Sequence, residues 1–538
     1  MKKIFAIFIA KQAAFWSRIF GRGGGGALPG LLALKIDPEI ASELTVNLEK
    51  GVILVTGTNG KTTTSKMIVE ILEASGLKVL SNSGGSNLTR GIASALVEKS
   101  NLLGNIKEEI GVYEVDEATM PELIKNLKIK IKKDQIPASA GMTKEEGGND
   151  RGGIKAIVIT NIFRDQLDRY GEIDKTAAIL KKAINNTPES TLILNADDPI
   201  VASLERNLDG QIVIDSQGLS TGKIPASAGM TKRGREMTKE GGKDPRTIST
   251  RLRNATDGQK CGASRKNTTY FGITDERLEA KSDLAIDIKD CLICGTELVY
   301  PHRYYGHIGL YICENCGFVR PKTKVTAKNV RLSLEKTSAT INIDKETAEL
   351  NLPMTGLYNL YNALAAISVA NFMKIKSTLV FKTLNNQKPA FGRMESFEID
   401  GKKAVIHLVK NPTGFNQVLE AITQNRKNKT ALIVLNDNFA DGTDISWIWD
   451  VEFELFKNGF RKIVVSGIRS EDLRLRLKYA DVTSRITVAK KDLKTALDTA
   501  VYETNAGETL YILPTYTAML EIRKNLVQKG LLRDYWRT

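Results

Sequence analysis

The chain is 538 residues long, 42% hydrophobic and 26% charged, a globular composition with room for about three domains that each bury a core. Its net charge of +15 is concentrated: residues 216–267 hold twelve Lys/Arg against four Asp/Glu, and residues 1–24 hold five basic side chains and no acid. The rest is near balance, which argues against a broad basic face and a nucleic-acid partner, and five cysteines with two Cys-x-x-Cys pairs argue for a reducing compartment and a metal rather than disulfides.

Residues 1–50 begin with Lys2-Lys3 and the apolar run Ile4–Ala10. The run is short for a signal-peptide core and Lys11 interrupts it; nowhere is an apolar run long enough to span a membrane. Phe15, Trp16, Ile19 and Phe20, with Lys11, Arg18 and Arg22 between them, predict a basic amphipathic helix. Such a helix packs on the body of the protein or rests on an anionic membrane surface.

The next segment carries the strongest signal. The apolar, mostly β-branched run Val52–Val55 breaks at Gly57, turns through Thr58, Asn59 and Gly60, and meets Lys61, Thr62 and Thr63 where a helical pattern begins. A strand, a glycine loop and a helix N-terminus cradle phosphate: amides and dipole attract the anion, Lys61 adds charge, and the Thr62 hydroxyl reaches a Mg²⁺. The first glycine of an ordinary P-loop would stand at Val55, so this is the shorter Gly57-x-x-Gly60-Lys61-Thr62 form.

Further strands are expected at Gly111–Val115, Ile154–Thr160 and Thr191–Asn195, alternating with helices such as Thr62–Ala74 and Lys175–Asn185. That alternation implies an α/β domain with a parallel sheet and ligands at the carboxyl ends of its strands. Those ends are polar: Glu114-Val-Asp116-Glu117, then Asn161 to Glu172, then Asn195-Ala-Asp197-Asp198. Glu114 is the first choice for a Mg²⁺ ligand and Asp116 the second. The nine residues Ile136–Lys144 recur letter for letter as Ile224–Lys232. Both copies lie in polar, aperiodic sequence, so residues 133–152 and 217–267 read as low-complexity insertions in surface loops.

Cys291-Leu-Ile-Cys294-Gly and Cys313-Glu-Asn-Cys316-Gly are two thiolate turns at the spacing of a four-cysteine Zn²⁺ ribbon, placed at residues 286–322. Four sulfurs close the metal to substrate, so the zinc is structural. His302 and His307 lie in the ribbon and are read as bystanders. A second α/β region follows from residue 394, with strands at Lys403–Leu408, Ala431–Leu435, Lys462–Ser466 and Thr509–Leu513.

The phosphate loop, Asp165-Gln-Leu-Asp-Arg-Tyr170, Asn195-Ala-Asp-Asp-Pro199, Gly356 to Ala366 and Phe391-Gly-Arg-Met-Glu395 together resemble the Mur ligase superfamily. Its members use ATP to activate a carboxylate as an acyl phosphate for attack by an amine. The cysteine module, Lys410-Asn-Pro-Thr-Gly-Phe-Asn-Gln417 and Asn436 to Asp450 narrow the resemblance to the MurT family, the synthetase subunits of lipid II isoglutaminyl synthase. The resemblance implies three segments: a basic N-terminal segment (1–50), an ATP-binding central domain (51–393) with the inserted ribbon, and a C-terminal α/β domain (394–538) facing a glutaminase.

It further implies ATP, Mg²⁺ and Zn²⁺ as cofactors, with Lys61 and Thr62 on the phosphates and Asn359 and Arg393 on the nucleotide side. Gln166 stands where many Mur ligases have His, and Lys175, Lys181 and Lys182 are in range of the position often carbamylated in the superfamily. Outside the ribbon, His407 is the only histidine and Cys261 the only cysteine, the latter in a low-complexity segment. A glutaminase needs a Cys nucleophile with a His base. Ammonia from glutamine therefore requires a second chain, in the resemblance the glutaminase GatD, whose triad an Asp of this chain completes. Asp437, directly after a strand, is favoured over Asp441, with Asp444 also in the segment. The expected reaction is amidation of the D-glutamate α-carboxylate of lipid II, in the cytoplasm or at the inner membrane face. The alternatives are an amino-acid-adding Mur or folylpolyglutamate-type ligase and a non-catalytic zinc-ribbon nucleotide-binding protein.

Overall fold

Runs such as Val52-Ile-Leu-Val-Thr56 are apolar on both faces, the signature of a strand covered on both sides, and all five residues are buried. A computed structural model of the chain describes every residue except 20–26, 83–86, 128–151, 165–172, 206–266, 280–286, 334–335, 388–394, 424–427, 491 and 533–538. The insertions expected at 133–152 and 217–267 therefore fall, but for Gly152 and Asn267, outside the described residues, as do Gln166, Cys261 and Arg393.

The first sheet has nine strands. They are β1 (Val52–Thr56), β2 (Val79–Ser81), β3 (Ile110–Glu114), β4 (Ile154–Ile159), β5 (Thr191–Asn195) and β6 (Thr268–Ile273), followed, after the ribbon hairpin β7 (Val299–Tyr305) and β8 (Ile308–Ile312), by β9 (Val325–Leu332), β10 (Thr337–Ile343) and β11 (Glu346–Leu352). Their order is β11-β10-β9-β6-β5-β4-β1-β3-β2, parallel from β2 through β9, with β10 and β11 antiparallel at one edge. Strand β1 lies between β3 and β4, where the chain order reverses, and a crevice opens at such a switch point.

Alternation along β1 assigns its side chains to two cores. Val52 and Leu54 pack with Ala6, Ile7, Ala33 and Ile40, so the N-terminal helices Lys2–Ile19, Leu28–Ile36 and Ile40–Thr45 cover one face. Ile53 and Val55 pack with Met67, Ile71, Leu360 and Leu364, from the helices Lys61–Ala74 and Leu357–Phe372 on the other.

The second sheet has six strands, β12 (Glu395–Ile399), β13 (Lys402–Ile406), β14 (Lys429–Val434), β15 (Phe460–Ser466), β16 (Ile486–Lys490) and β17 (Thr509–Pro514), in the order β12-β13-β17-β14-β15-β16. All are parallel except the β12–β13 hairpin. Among the described residues no helix is long and apolar enough to cross a membrane.

Candidate active site

The phosphate loop leaves the carboxyl end of β1 in a shape only glycine tolerates. Gly57 and Gly60 have φ of +122° and +88°, and a Cβ at Gly60 would collide with Asn362 Oδ1. The end of β4 clamps the loop: Asn59 N donates to Asn161 Oδ1 at 2.9 Å, Thr160 Oγ1 donates to Asn59 O at 2.7 Å, and Phe163 N donates to Thr58 Oγ1 at 3.0 Å. The first helical hydrogen bond runs from Thr64 N to Gly60 O, so the amides of Lys61, Thr62 and Thr63 precede it. No side chain caps this helix through Gly60, and such an end is an anion site.

Lys61 folds back over the loop. Its Nζ donates to Gly57 O at 2.6 Å and to both Glu117 oxygens at 3.1 and 3.3 Å. Glu117 is buried, so this pair is fixed in place next to the anion site. Thr62 Oγ1 donates to Glu114 Oε1 at 3.1 Å. Two oxygens that close suit adjacent positions of an octahedral Mg²⁺, which are about 2.9 Å apart at ordinary Mg–O lengths. Asp116, the second choice from sequence, instead caps the short turn Glu117–Thr119 by accepting from Ala118 N at 3.2 Å.

The opposite wall of the crevice comes from the second sheet. A cleft of about 580 Å³, open to solvent, is lined by Asn59, Gly60, Thr63, Asn161 and Phe163 on one side and by His407, Lys410, Asn411, Gly414 and Gln417 on the other. Asn411 Nδ2 donates to Asn59 Oδ1 at 3.0 Å, while its Oδ1 accepts from Gly414 N at 2.8 Å. The Lys410–Gln417 motif thus docks its helix start on the phosphate loop. Asn362 is the residue of the helix Leu357–Phe372 that meets the loop, accepting from Thr64 Oγ1 at 3.2 Å. Asn359 lies one turn earlier, donating to Thr355 O at 2.8 Å and accepting from Asn362 at 3.4 Å.

The four ribbon cysteines bring their sulfurs within 4.8 Å of one another, with Cys291–Cys316 and Cys294–Cys313 each at 3.5 Å. A tetrahedral Zn²⁺ with Zn–S near 2.3 Å spaces its sulfurs by about 3.8 Å, so the donor set and its dimensions fit zinc. Burial pushes the Cys291 thiol up to about 11. Burial opposes ionisation of Cys294 too, but hydrogen bonding with Thr296 brings that thiol down to about 6.

His307 is not the bystander expected from sequence. At the tip of the β7–β8 hairpin it is fully buried, its Nε2 3.5 Å from Asp198 Oδ1, its Nδ1 3.9 Å from Asp287 Oδ2, and its ring 4.5 Å from that of Phe163. Asp198 Oδ2 accepts from Ile162 N at 2.8 Å. The hairpin tip is therefore wedged behind the same β4 loop that clamps Asn59. Burial opposes protonation of His307, but the facing Asp198 and Asp287 outweigh it and raise its pKa. Beside it Asp197 is held by Arg320, Tyr361 and Ile273 N; burial raises its pKa against those partners.

In the second sheet, Asp437 follows β14 and is partly buried, its Oδ2 3.0 Å from Arg469 Nη1. Asn436 braces this loop, donating to Thr517 Oγ1 at 3.1 Å and accepting from Ile468 N at 3.0 Å. Asp441 is buried and turned inward, accepting from Thr517 N at 2.7 Å and Thr517 Oγ1 at 2.5 Å. Asp444 accepts from Ser446 N at 2.8 Å.

Residues 408–519 match the family model described as MurT ligase C-terminal. Over 514 residues the chain is 31% identical to the Streptococcus pneumoniae protein named lipid II isoglutaminyl synthase (glutamine-hydrolyzing) subunit MurT, covering 95% of this chain and 94% of that one. The chain belongs to the MurT family. Its Staphylococcus aureus (strain COL) relative of the same name is 31% identical over 527 residues, 98% of each chain.

The fold of this MurT-family chain is shared with solved Mur-type ligases. A pseudomurein peptide ligase type C from Methanothermus fervidus superposes with a TM-score of 0.59 at 22% identity, covering 90% of this chain and 80% of that one. MurF ligase from Thermotoga maritima in complex with ADP does so at 0.54 and 14% identity, covering 93% and 85%. The matched C-terminal segment contains both Asn411 on the cleft and Asp437 after β14. Sequence reading missed Glu117, Asn362 and His307; the acidic triplet and the Asn-rich helix start held two of these signals, whereas His307 carried none.

Proposed function

We propose that this MurT-family ligase amidates the α-carboxylate of D-glutamate in the stem peptide of lipid II, forming D-isoglutamine during peptidoglycan synthesis. The γ-phosphoryl group of ATP passes to a carboxylate oxygen and ADP leaves. Ammonia then attacks the acyl carbon, and inorganic phosphate departs with that oxygen. The relatives' shared name, a subunit of a glutamine-hydrolysing synthase, supports the substrate and the amide product.

The observation that carries the reading is the Lys61–Glu117 pair over the loop at a cleft whose far wall is the family-matched segment. The amides of Thr62 and Thr63 would bind phosphate oxygens, with Gly57, Thr58, Asn59 and Gly60 shaping the cradle. Lys61, released toward the γ-phosphate, would offset charge that builds during transfer. Thr62 and Glu114 would hold Mg²⁺, which when bound neutralises the β- and γ-phosphates. Asn359 would act through Asn362, and Arg393, outside the described residues, would contact the nucleotide. The cysteines Cys291, Cys294, Cys313 and Cys316 would hold structural Zn²⁺.

Ammonia would come from a GatD-like glutaminase docked on the C-terminal domain. Phe439, Trp449, Ile468, Leu475 and Tyr479, all within the family-matched segment, are exposed by 83, 48, 56, 49 and 70%. Exposed aromatic and aliphatic anchors of this kind suit a protein interface. Asp437 would orient the partner's catalytic His, while Asp441 holds the loop from within. The enzyme would work in the cytoplasm, at the inner membrane face where a lipid-linked substrate lies.

The test is glutamine-dependent amidation of lipid II with purified chain and glutaminase. Amide formation that needs both chains and ATP, and fails with Lys61→Ala, supports the reading. Turnover of a free amino acid without the partner contradicts it.

A further inference from the structure

Sixteen large apolar side chains are exposed among the described residues; five fall between Phe439 and Tyr479, and five lie on the helix Lys2–Ile19. The second group sits on one helix. Ile4, Phe5, Phe8, Phe15 and Trp16 are exposed by 43, 56, 45, 55 and 51%, whereas Ala6, Ile7 and Ala10 of the same helix are fully buried in the main core. At about 100° per residue the five exposed side chains fall within an arc of about 120°. The buried alanines and isoleucine point away from that arc. The helix is thus already fastened to the protein by one face, and its other face is aromatic and open to solvent.

The charges around that arc select an occupant. Lys2 and Lys11 fall on either side of it, Lys11 steadied by donating to Glu98 O at 3.1 Å. The first 24 residues contain no acid. A second copy of this face would set lysine against lysine across a two-fold interface. Aromatic rings flanked by lysines match the acyl–headgroup boundary of an anionic bilayer, where rings insert shallowly and ammonium groups meet phosphates.

We propose that the face of helix Lys2–Ile19 bearing Phe5, Phe8 and Trp16 docks the enzyme onto anionic phospholipid membrane. With the proposed reaction, docking would confine the cleft to the surface where a lipid-linked substrate resides. The surface stands on the helix itself and does not depend on which amine the ligase uses.

Sedimentation of the full chain, alone and with its glutaminase, tests this with vesicles of phosphatidylcholine and of a phosphatidylglycerol–phosphatidylcholine mixture, free of substrate lipid. Binding to the anionic vesicles is expected, weakening with salt and falling at least tenfold in Phe8→Glu/Trp16→Glu. Both positions are exposed, so that variant should keep its melting midpoint and its ATP-dependent turnover of a short-chain, water-soluble substrate analogue. Equal binding of parent and variant, no binding to anionic vesicles, or a parent self-association or glutaminase complex that the variant abolishes would overturn the proposal. Failure of the amidation assay with vesicle binding intact would count against the proposed reaction only.

Discussion

Asn411, at the start of a helix in the second sheet's domain, donates to Asn59 in the middle of the phosphate loop at 3.0 Å. This contact joins the two walls of the cleft through the loop that would hold ATP. Arg164 and Asp450 form a looser ion pair between the same parts at 3.9 Å. The contact would make the C-terminal domain a participant in the proposed nucleotide binding, since a shift of its helix start would move Asn59.

Asn411→Ala should therefore raise the KM for ATP. One hydrogen bond is worth about 0.5–1.5 kcal/mol, which corresponds to a rise of about 2- to 12-fold. Asn411→Asp keeps the acceptor for Gly414 N but loses the donor, so steady-state kinetics should group it with the alanine variant.

Lys61→Ala should lower kcat by about two to three orders of magnitude, as for loss of a preorganised charge at a transition state. Glu117→Gln keeps the shape but weakens the grip on Lys61, and should cost about tenfold at most because Gly57 O still accepts from Nζ. Single-turnover ADP release measures both; an unchanged rate in Glu117→Gln would mark the pair as incidental.

These two residues also show where sequence reading stops. The strand–glycine–lysine pattern makes the loop legible, and strand ends locate Glu114 to within a residue, because both are local. Glu117 depends on a short turn that swings the third carboxylate back over Lys61, a rotation no spacing rule specifies. Asn359 and Asn362 differ by one helical turn, and only packing against Gly60 decides between them. The cysteine ribbon is equally local and was legible. The burial of His307 behind the β4 loop is a contact between distant segments, and nothing in the neighbouring residues announces it. Four strands of each sheet are expected from apolar runs, with ends that move by one or two residues; β2, β6, β9, β10, β11, β12 and β16 are not, and pairing order is visible only in three dimensions.

Removing zinc should weaken nucleotide binding at a distance. The ribbon holds His307 against Asp198, which in turn holds Ile162 N next to the Asn161 clamp on Asn59. Chelation, or Cys294→Ser, should raise the Kd for ADP several-fold and lower the melting midpoint. Titration calorimetry reads the first directly, and an unchanged Kd in the metal-free protein would separate ribbon from cleft.

His307 should also make stability fall as pH rises. Its folded pKa is raised above 6.5 by Asp198 and Asp287 despite burial, so protonation favours the folded state. That contribution is complete below the unfolded value of about 6.5 and disappears as pH climbs through the raised folded value. The midpoint difference between parent and His307→Gln should accordingly shrink with rising pH across that window.

Asp437→Asn should abolish glutamine-driven amidation in the two-chain complex while leaving ammonium-driven amidation near parental levels. Asp441→Asn should instead lower stability, by about 1–3 kcal/mol, because it strips a buried acceptor from Thr517. Paired assays with glutamine and with ammonium chloride, alongside denaturant melts, separate the two roles.

In the proposed reaction the cleft activates a carboxylate by phosphorylation before an amine attacks. Lipid II labelled with ¹⁸O in the D-glutamate α-carboxylate, turned over with ATP and ammonia, tests it most directly. Mass spectrometry of the released phosphate should find one ¹⁸O per molecule. Unlabelled phosphate accompanying amide product would contradict an acyl phosphate and with it the role assigned to Lys61 and the loop.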